Sequence, residues 1–442
     1  MPTNILYLHS HDTGRYVQPY GHAIPTPNIQ WLADQGVMFR NAFCAAPSCS
    51  GSRAALLTGE YCHTNGMMGL AHRGFVLNDY DHHIVKTLRD GGYHCELIGE
   101  QHVSADPGVL GYDVVHEIEN SSVGLVAPAA IAALKRSLPE PFFMSVGFFE
   151  THRSFFSPSS VRDRVYSLAP PFLPDTPEIR LDIASYKASA RTLDHGIGAV
   201  LNALNETELD RNTLVICTTD HGLAFPTAKA SLLDRGIGVM LIVRGPGFVG
   251  GHARDELVSH IDIFPTICDV AGIEPPPWLE GRSLVPLIDG TEPPGLRTEV
   301  FSELTYHAAY EPQRAIRTER YKYIRRFDDY PYPVLPNCDD SPSKDAYLAR
   351  GWARRGVSRE ALHDLFFNPG EGRNVIAEPE YAEVAADLRA RLEQWMVRTA
   401  DPLLDGPVPA PPGARVNAQD QRSAEDRPII VDSHVAGAAT GR

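Results

Sequence analysis

The sequence predicts an α/β protein: a large α/β/α sandwich around a mostly parallel mixed sheet, with a smaller C-terminal α+β domain. Three observations carry this. Short apolar runs alternate with helical segments as far as about residue 290, and a strand that is apolar throughout belongs to a sheet covered on both faces. Several of these runs end in clusters of His, Asp and Glu, and the carboxyl ends of strands are where open α/β sheets bind ligands. Past Pro275-Pro276-Pro277 and Gly290 to Pro294 the pattern changes. The division that follows is 1–295 for the large domain, 296–400 for the smaller one and 401–442 for a tail rich in Pro, Ala and Arg.

The strand candidates are Ile5–Leu8, Cys95–Ile98, Phe142–Phe149, Leu214–Cys217 and Val239–Val243, each of strand length and bounded by polar residues or Gly. A helix is predicted from Pro27, with Thr26 as N-cap, to a stop at Gly36. A second runs from about Ile183 to Leu204. Its Tyr186, Leu193, Ile197, Val200, Leu201 and Leu204 recur at helical spacing, against the low helix propensity of Gly196 and Gly198. In the smaller domain the pattern is Glu299–Leu304, Tyr321–Ile324 and a charged helix-like stretch from Glu380 to Arg398. The tail from Asp401 lacks periodicity. It is expected to be disordered, or draped over the body or over a neighbouring subunit of a homo-oligomer.

Composition narrows the function. Apolar residues make up 43% and charged residues 21% of the 442, as in ordinary globular proteins. The 40 Lys and Arg against 55 Asp and Glu give a formal charge of −15, without a basic run; nucleic acid is excluded as a partner because it needs a positive footprint. The seven cysteines are scattered and lack CxxC spacing, so they form neither a disulfide framework nor a zinc ribbon. The chain enters its first strand at Asn4 without a signal-peptide pattern, which predicts a cytoplasmic protein. The most apolar stretch, Gly124–Leu134, is too short to span a bilayer, so no membrane partner is expected.

Four strand ends deliver polar residues to one edge: His9-Ser10-His11-Asp12, Gly99-Glu100-Gln101-His102, Glu150-Thr151-His152 and Thr219-Asp220-His221-Gly222. Asp12 and Asp220 offer hard oxygen and His11 and His221 offer nitrogen, a mixed set suited to Mn²⁺, Fe²⁺ or Zn²⁺. In Ser48-Cys49-Ser50-Gly51-Ser52-Arg53-Ala54-Ala55-Leu56-Leu57-Thr58-Gly59, Cys49 opens a helix. A helix N-terminus favours the thiolate. Arg53 follows about one turn later with a guanidinium fork suited to an oxyanion.

This segment resembles the Cys-x-Pro-x-Arg signature and Leu-Thr-Gly helix of the sulfatase family, in the alkaline phosphatase superfamily. The resemblance continues in order along the chain. It takes in Asn4-Ile5-Leu6 with His11-Asp12-Thr13-Gly14, Thr26-Pro27-Asn28-Ile29, Thr219-Asp220-His221-Gly222, Lys229, Arg244-Gly245-Pro246-Gly247, Asp262-Ile263-Phe264-Pro265-Thr266, and Asp364-Leu365 with Asn368-Pro369, Glu371 and Asn374. The run from His63 to Met67, His102-Val103 and Arg314-Ala315-Ile316-Arg317-Thr318 are most similar to the heparan N-sulfatase (sulfamidase) branch. Three positions depart from the pattern. His11 stands where the first metal Asp is usual. Glu100 stands where a Lys usually precedes the His of Gly-Lys-x-His. Gly51 replaces the Pro of the motif that the maturing enzyme reads.

The resemblance implies a metal-dependent sulfatase that hydrolyses a sulfate ester or sulfamate on a sulfated small molecule or glycan. It implies one divalent ion, Ca²⁺ as in the family, or Mn²⁺ or another transition metal because of His11. That ion is held by His11, Asp12, Cys49, Asp220 and His221. It also implies a formylglycine made from Cys49 by the formylglycine-generating enzyme. His152 is the expected general acid, His102 takes the proton when sulfate is expelled, and Lys229 and Arg53 hold charge on the transferring group. His307, Tyr310 and Arg314 are expected to reach over the pocket to the substrate, whereas His72, His82 and His83 are read as surface or loop histidines. Two alternatives stay open: a phosphonate monoester or phosphodiester hydrolase of the same superfamily, and a non-catalytic anion-binding relative with unmodified Cys49.

Overall fold

The computed structural model describes residues 2–158, 161–291 and 297–432. The expected boundary between 295 and 296 and the last ten residues of the tail lie outside the described residues. Eight strands form the large sheet: β1 (Asn4–Ser10), β2 (Val37–Phe43), β3 (His94–Gly99), β4 (Val114–Val115), β5 (Phe142–Gly147), β6 (Thr213–Thr219), β7 (Leu241–Arg244) and β8 (His252–Ser259). Their order is β4-β3-β5-β1-β6-β7-β2-β8. Only the pairings of β7, with β6 and β2, are antiparallel; the rest are parallel.

Central strand β1 is wholly buried, which explains its unbroken apolar run. Ile5 and Tyr7 face one layer, where Leu56, Leu57, Ile84, Leu88, Phe264 and Ile267 pack. Leu6 and Leu8 face the other, with Ile29, Leu32, Val126, Ala130, Leu193, Ile197 and Val200. The helix Pro27–Gln35 has the predicted bounds, but the Thr26 hydroxyl accepts from the Gln18 N–H rather than capping it. Asp194, on another helix, accepts the free N–H groups of Asn28 and Ile29 at 3.0 and 2.9 Å. The second predicted helix is longer than expected, Pro177–Glu206. Gly198 lets it approach the first closely, because a Cβ there would lie 2.3 Å from Asn28 Cγ. Strand β2 escapes sequence reading because exposed Arg40 interrupts its apolar residues. Among the described residues no helix is long and apolar enough to cross a membrane.

The smaller sheet is antiparallel, in the order β12-β11-β10-β9, from β9 (Glu299–Tyr306), β10 (Tyr310–Thr318), β11 (Tyr321–Arg326) and β12 (Glu360–Asp364). The helix Ala382–Arg398 lays Leu388, Leu392 and Trp395 on Phe301, Ile316, Tyr323 and Leu362. The described part of the tail is draped over the body. Ala414 is buried in the large core, and the Asn417 N–H donates to Ala308 O at 2.8 Å.

Arg314 is not a substrate contact. It is fully buried, with Nε and Nη2 donating to the Asp401 carboxylate at 2.5 and 2.9 Å and Nη2 lying 3.2 Å from Glu303 Oε2. His63 Nδ1 lies 2.9 Å from Glu303 on its other side. The cluster thus ties β9 and β10 to the start of the tail. Burial alone would raise the Glu303 carboxyl, but His63 and Arg314 hold it at about 2.

Replacing Arg314 with Met leaves two buried carboxylates without their shared cation. A loss of about 3–5 kcal/mol in urea unfolding is expected. Because Glu303 is depressed, its stabilisation is present above the ordinary carboxylate range and is lost as pH falls towards 2; wild-type unfolding followed against pH checks the sign.

Candidate active site

The site lies at the carboxyl edge of β1, β3, β5 and β6. In the parallel pairing, Ser10 sits opposite Thr219, so the residues that follow each strand meet. Asp220 Oδ1 accepts the backbone N–H groups of Asp12 and His221, both at 2.8 Å. Asp12 adopts φ +49°, a left-handed conformation that costs a non-glycine residue free energy and is held here by these contacts. Asp220 Oδ2 takes Arg53 Nη2 at 3.1 Å and lies 3.0 Å from His11 Nδ1.

Cys49 opens the helix Cys49–Thr58, every residue of which is buried. Its Sγ lies 3.3 Å from His221 Nε2, which is 3.1 Å from Asp12 Oδ1. Burial opposes the thiolate, yet the charges of Lys229 and His221 bring the thiol well below its ordinary value. His221, which burial would lower, is raised to about 9 by Asp220, Asp12 and Cys49.

Arg53 lies in the floor of the site. Its terminal nitrogens are taken by His9 Nδ1 at 2.5 Å, Ser10 O at 2.9 Å and Asp220. These contacts fix the guanidinium to the carboxylate floor of the site, while its buried Nε has no hydrogen-bond partner. Lys229 fills the cationic place above it: Nζ is 3.0 Å from both Asp12 Oδ2 and Asp339 Oδ2 and 3.3 Å from His152 Nε2. His152 Nδ1 donates to Arg153 O at 2.6 Å, so Nε2 is the nitrogen that takes or gives a proton.

His102, at φ +53°, presents Nε2 to His72 Nδ1 at 2.7 Å. Its Nδ1 is buried without a partner. His307 Nδ1 lies 3.0 Å from Ser48 Oγ, and burial together with Lys229 lowers it to about 3. The smaller sheet thus reaches the Cys49 turn through His307. Tyr310 does not take part: its hydroxyl accepts the Val408 N–H and its ring packs on Tyr306.

Sequence reasoning missed Asp339; His72 is exposed, as expected, and in addition contacts His102. Asp339 comes from a loop after the third small strand, and nothing in its spacing pointed to the edge of the large sheet. His82 is placed off the site, stacked on Trp278, and His83 is buried at a helix N-terminus rather than exposed.

The residues present fit a divalent cation. One donor atom from each of His11, Asp12, Cys49 and Asp220 lies within 4.8 Å of the others. His11 Nε2 and Asp12 Oδ1 are buried without hydrogen-bond partners, and buried polar atoms are rarely left so. His221 Nε2 lines the same space.

Residues 3–273 match the family model described as Sulfatase, and residues 226–344 match the one described as N-sulphoglucosamine sulphohydrolase, C-terminal. N-sulphoglucosamine sulphohydrolase of Homo sapiens is 30% identical, over 92% of this chain and 92% of its own. A solved 2-O GAG sulfatase superposes with a TM-score of 0.74 at 23% identity, covering 93% of this chain and 95% of its own. The phosphonate monoester hydrolase of Silicibacter pomeroyi does so with 0.69 at 20% identity, covering 90% and 96%. At these identities the structural likenesses concern the fold.

Chelation with EDTA is expected to lower the melting temperature, and Ca²⁺ or Mn²⁺ to restore it. A cation at 100 times its Kd contributes about 2.7 kcal/mol. A melting temperature unmoved by EDTA and by added cation would contradict a cation in this cluster.

Proposed function

Because the chain belongs to the sulfatase family, we propose that it hydrolyses a sulfate ester or sulfamate of a sulfated sugar through a formylglycine made from Cys49. The observation that carries the reading is Cys49 itself. It is buried at a helix N-terminus within reach of His221, in a cluster with Asp12 and Asp220, and Lys229 faces the same space. An amino sugar bearing an N-sulfate is the favoured substrate class. The support is the 30% identity to a protein named for sulphoglucosamine and the match of 226–344 to its C-terminal segment.

Oxidation of Cys49 by a formylglycine-generating enzyme would supply an aldehyde hydrate as the nucleophile. A divalent cation held by Asp12, Asp220, His221 and the group at position 49, with His11 beside them, would lower the pKa of that nucleophile and neutralise sulfate oxygens. The remaining work falls to the chain's own side chains. Arg53 holds Asp220 and the ends of β1 and β6 in place beneath position 49. Lys229 offers positive charge where negative charge develops on the transferring group. His152 protonates the leaving nitrogen or oxygen through Nε2, and His102 is held at the edge of the site by His72. Asp339 flanks Lys229, and its charge weighs against the dianion of a phosphate monoester.

Mass spectrometry of the tryptic peptide Asn41–Arg53 from native-host protein tests the reading. An aldehyde or its hydrate at Cys49 is expected; an unmodified thiol there would refute the formylglycine route. With converted enzyme, N-sulfoglucosamine or an aryl sulfate should turn over faster than a phosphonate monoester. Lys229→Met is expected to lower kcat about 10²–10³-fold, the usual loss when one charge-stabilising donor is removed.

A further inference from the structure

The geometry points to a second divalent-metal site, formed by His11, Glu100 and His102 beside the cluster that contains Cys49. One donor atom from each of the three lies within 4.8 Å of the others. His11 Nε2 and His102 Nδ1 are both buried and both lack a hydrogen-bond partner. Glu100 Oε1 is 3.8 Å from His11 Nε2, too far for a direct hydrogen bond and suited to two ligands that share an ion. His11 is 2% exposed, so a nitrogen left unpaired there carries a full desolvation cost.

The opposite nitrogen of each imidazole is already engaged. His11 Nδ1 faces Asp220 Oδ2 at 3.0 Å, and His102 Nε2 meets His72 Nδ1 at 2.7 Å. This is the arrangement of metal-ligating histidines, whose second nitrogen is oriented by a carboxylate or another polar group. Two imidazoles and one carboxylate make the donor set of open transition-metal sites, and they favour Zn²⁺ or Mn²⁺ over the all-oxygen preference of Ca²⁺. The neighbouring guanidinium of Arg53 is itself paired with Asp220.

Close packing builds the site. Glu100 N–H donates to Gly147 O at 3.0 Å, and a Cβ on Gly147 would lie 2.2 Å from Glu100 O and 2.5 Å from His9 Cε1. Only glycine lets the ends of β3 and β5 come this near β1. A cavity of about 600 Å³ reaches Glu100 and Gln101 from outside.

The two departures from the family pattern, His11 for Asp and Glu100 for Lys, thus meet in space. A Lys at position 100 would bring one positive charge towards a bound sulfate. A divalent ion on Glu100 restores a net positive charge at the same place.

Metal analysis of purified protein tests this without reference to activity. Two divalent ions per chain are expected in the wild type, one of them a transition metal, and one per chain in Glu100→Gln and Glu100→Lys. Loading with Mn²⁺ should give a coupled spin pair by electron paramagnetic resonance in the wild type and isolated ions in both variants. Should Glu100→Gln fold poorly, Glu100→Asp keeps the carboxylate and is expected to keep two ions at weaker affinity. A count of one ion in the wild type, or a count unchanged in all three variants, overturns the proposal. The count does not depend on Cys49 oxidation or on any substrate, so failure of the sulfatase reading would register separately.

Discussion

The site depends on one carboxylate. Asp220 accepts two backbone N–H groups from the turns after β1 and β6, takes the guanidinium of Arg53, and faces an imidazole of His11. A buried carboxylate is costly unless every lone pair is engaged. Here the carboxylate is paired and hydrogen-bonded by groups from three separate segments. The same contacts hold Asp12 in its left-handed conformation and set Cys49 above the sheet edge. Nucleophile position, metal cluster and sheet register are therefore one arrangement.

Charge within the site is ordered rather than merely dense. Lys229 stands between Asp12 and Asp339, and Cys49 pairs with His221. Each buried charge has an opposite neighbour within a few ångströms, which is why burial leaves these groups ionised. The smaller sheet takes part by supplying His307 to the Cys49 turn, the loop after its third strand supplies Asp339, and the described part of the tail fastens His72 from outside through Arg415, which donates to the His72 carbonyl at 2.5 Å. The Arg314 cluster in turn anchors the start of that tail.

The strand ends are legible in the sequence. The runs at Ile5–Leu8 and Leu214–Cys217 proved to be the centres of β1 and β6, because a strand buried on both faces must be apolar along its length. The helix at Cys49 and its N-terminal thiol were legible for the same kind of local reason. Strand β10 was not read as a strand, since its polar residues are buried in ion pairs that no periodicity reports. Arg314, expected at the substrate because sites favour domain boundaries, is instead one of those buried ion-paired residues.

The sequence by itself determined the fold class and the chemical types gathered at the sheet edge, because periodicity, burial and turn chemistry are local properties. Tertiary structure alone decided which of those groups touch. It paired Arg53 with Asp220 and set Lys229 between Asp12 and Asp339. It brought Asp339 and His72 in from distant segments, and it joined His11, Glu100 and His102 across β1 and β3. Those contacts follow from strand order and from the docking of the smaller sheet, which depend on how whole surfaces pack and leave no spacing signal along the chain.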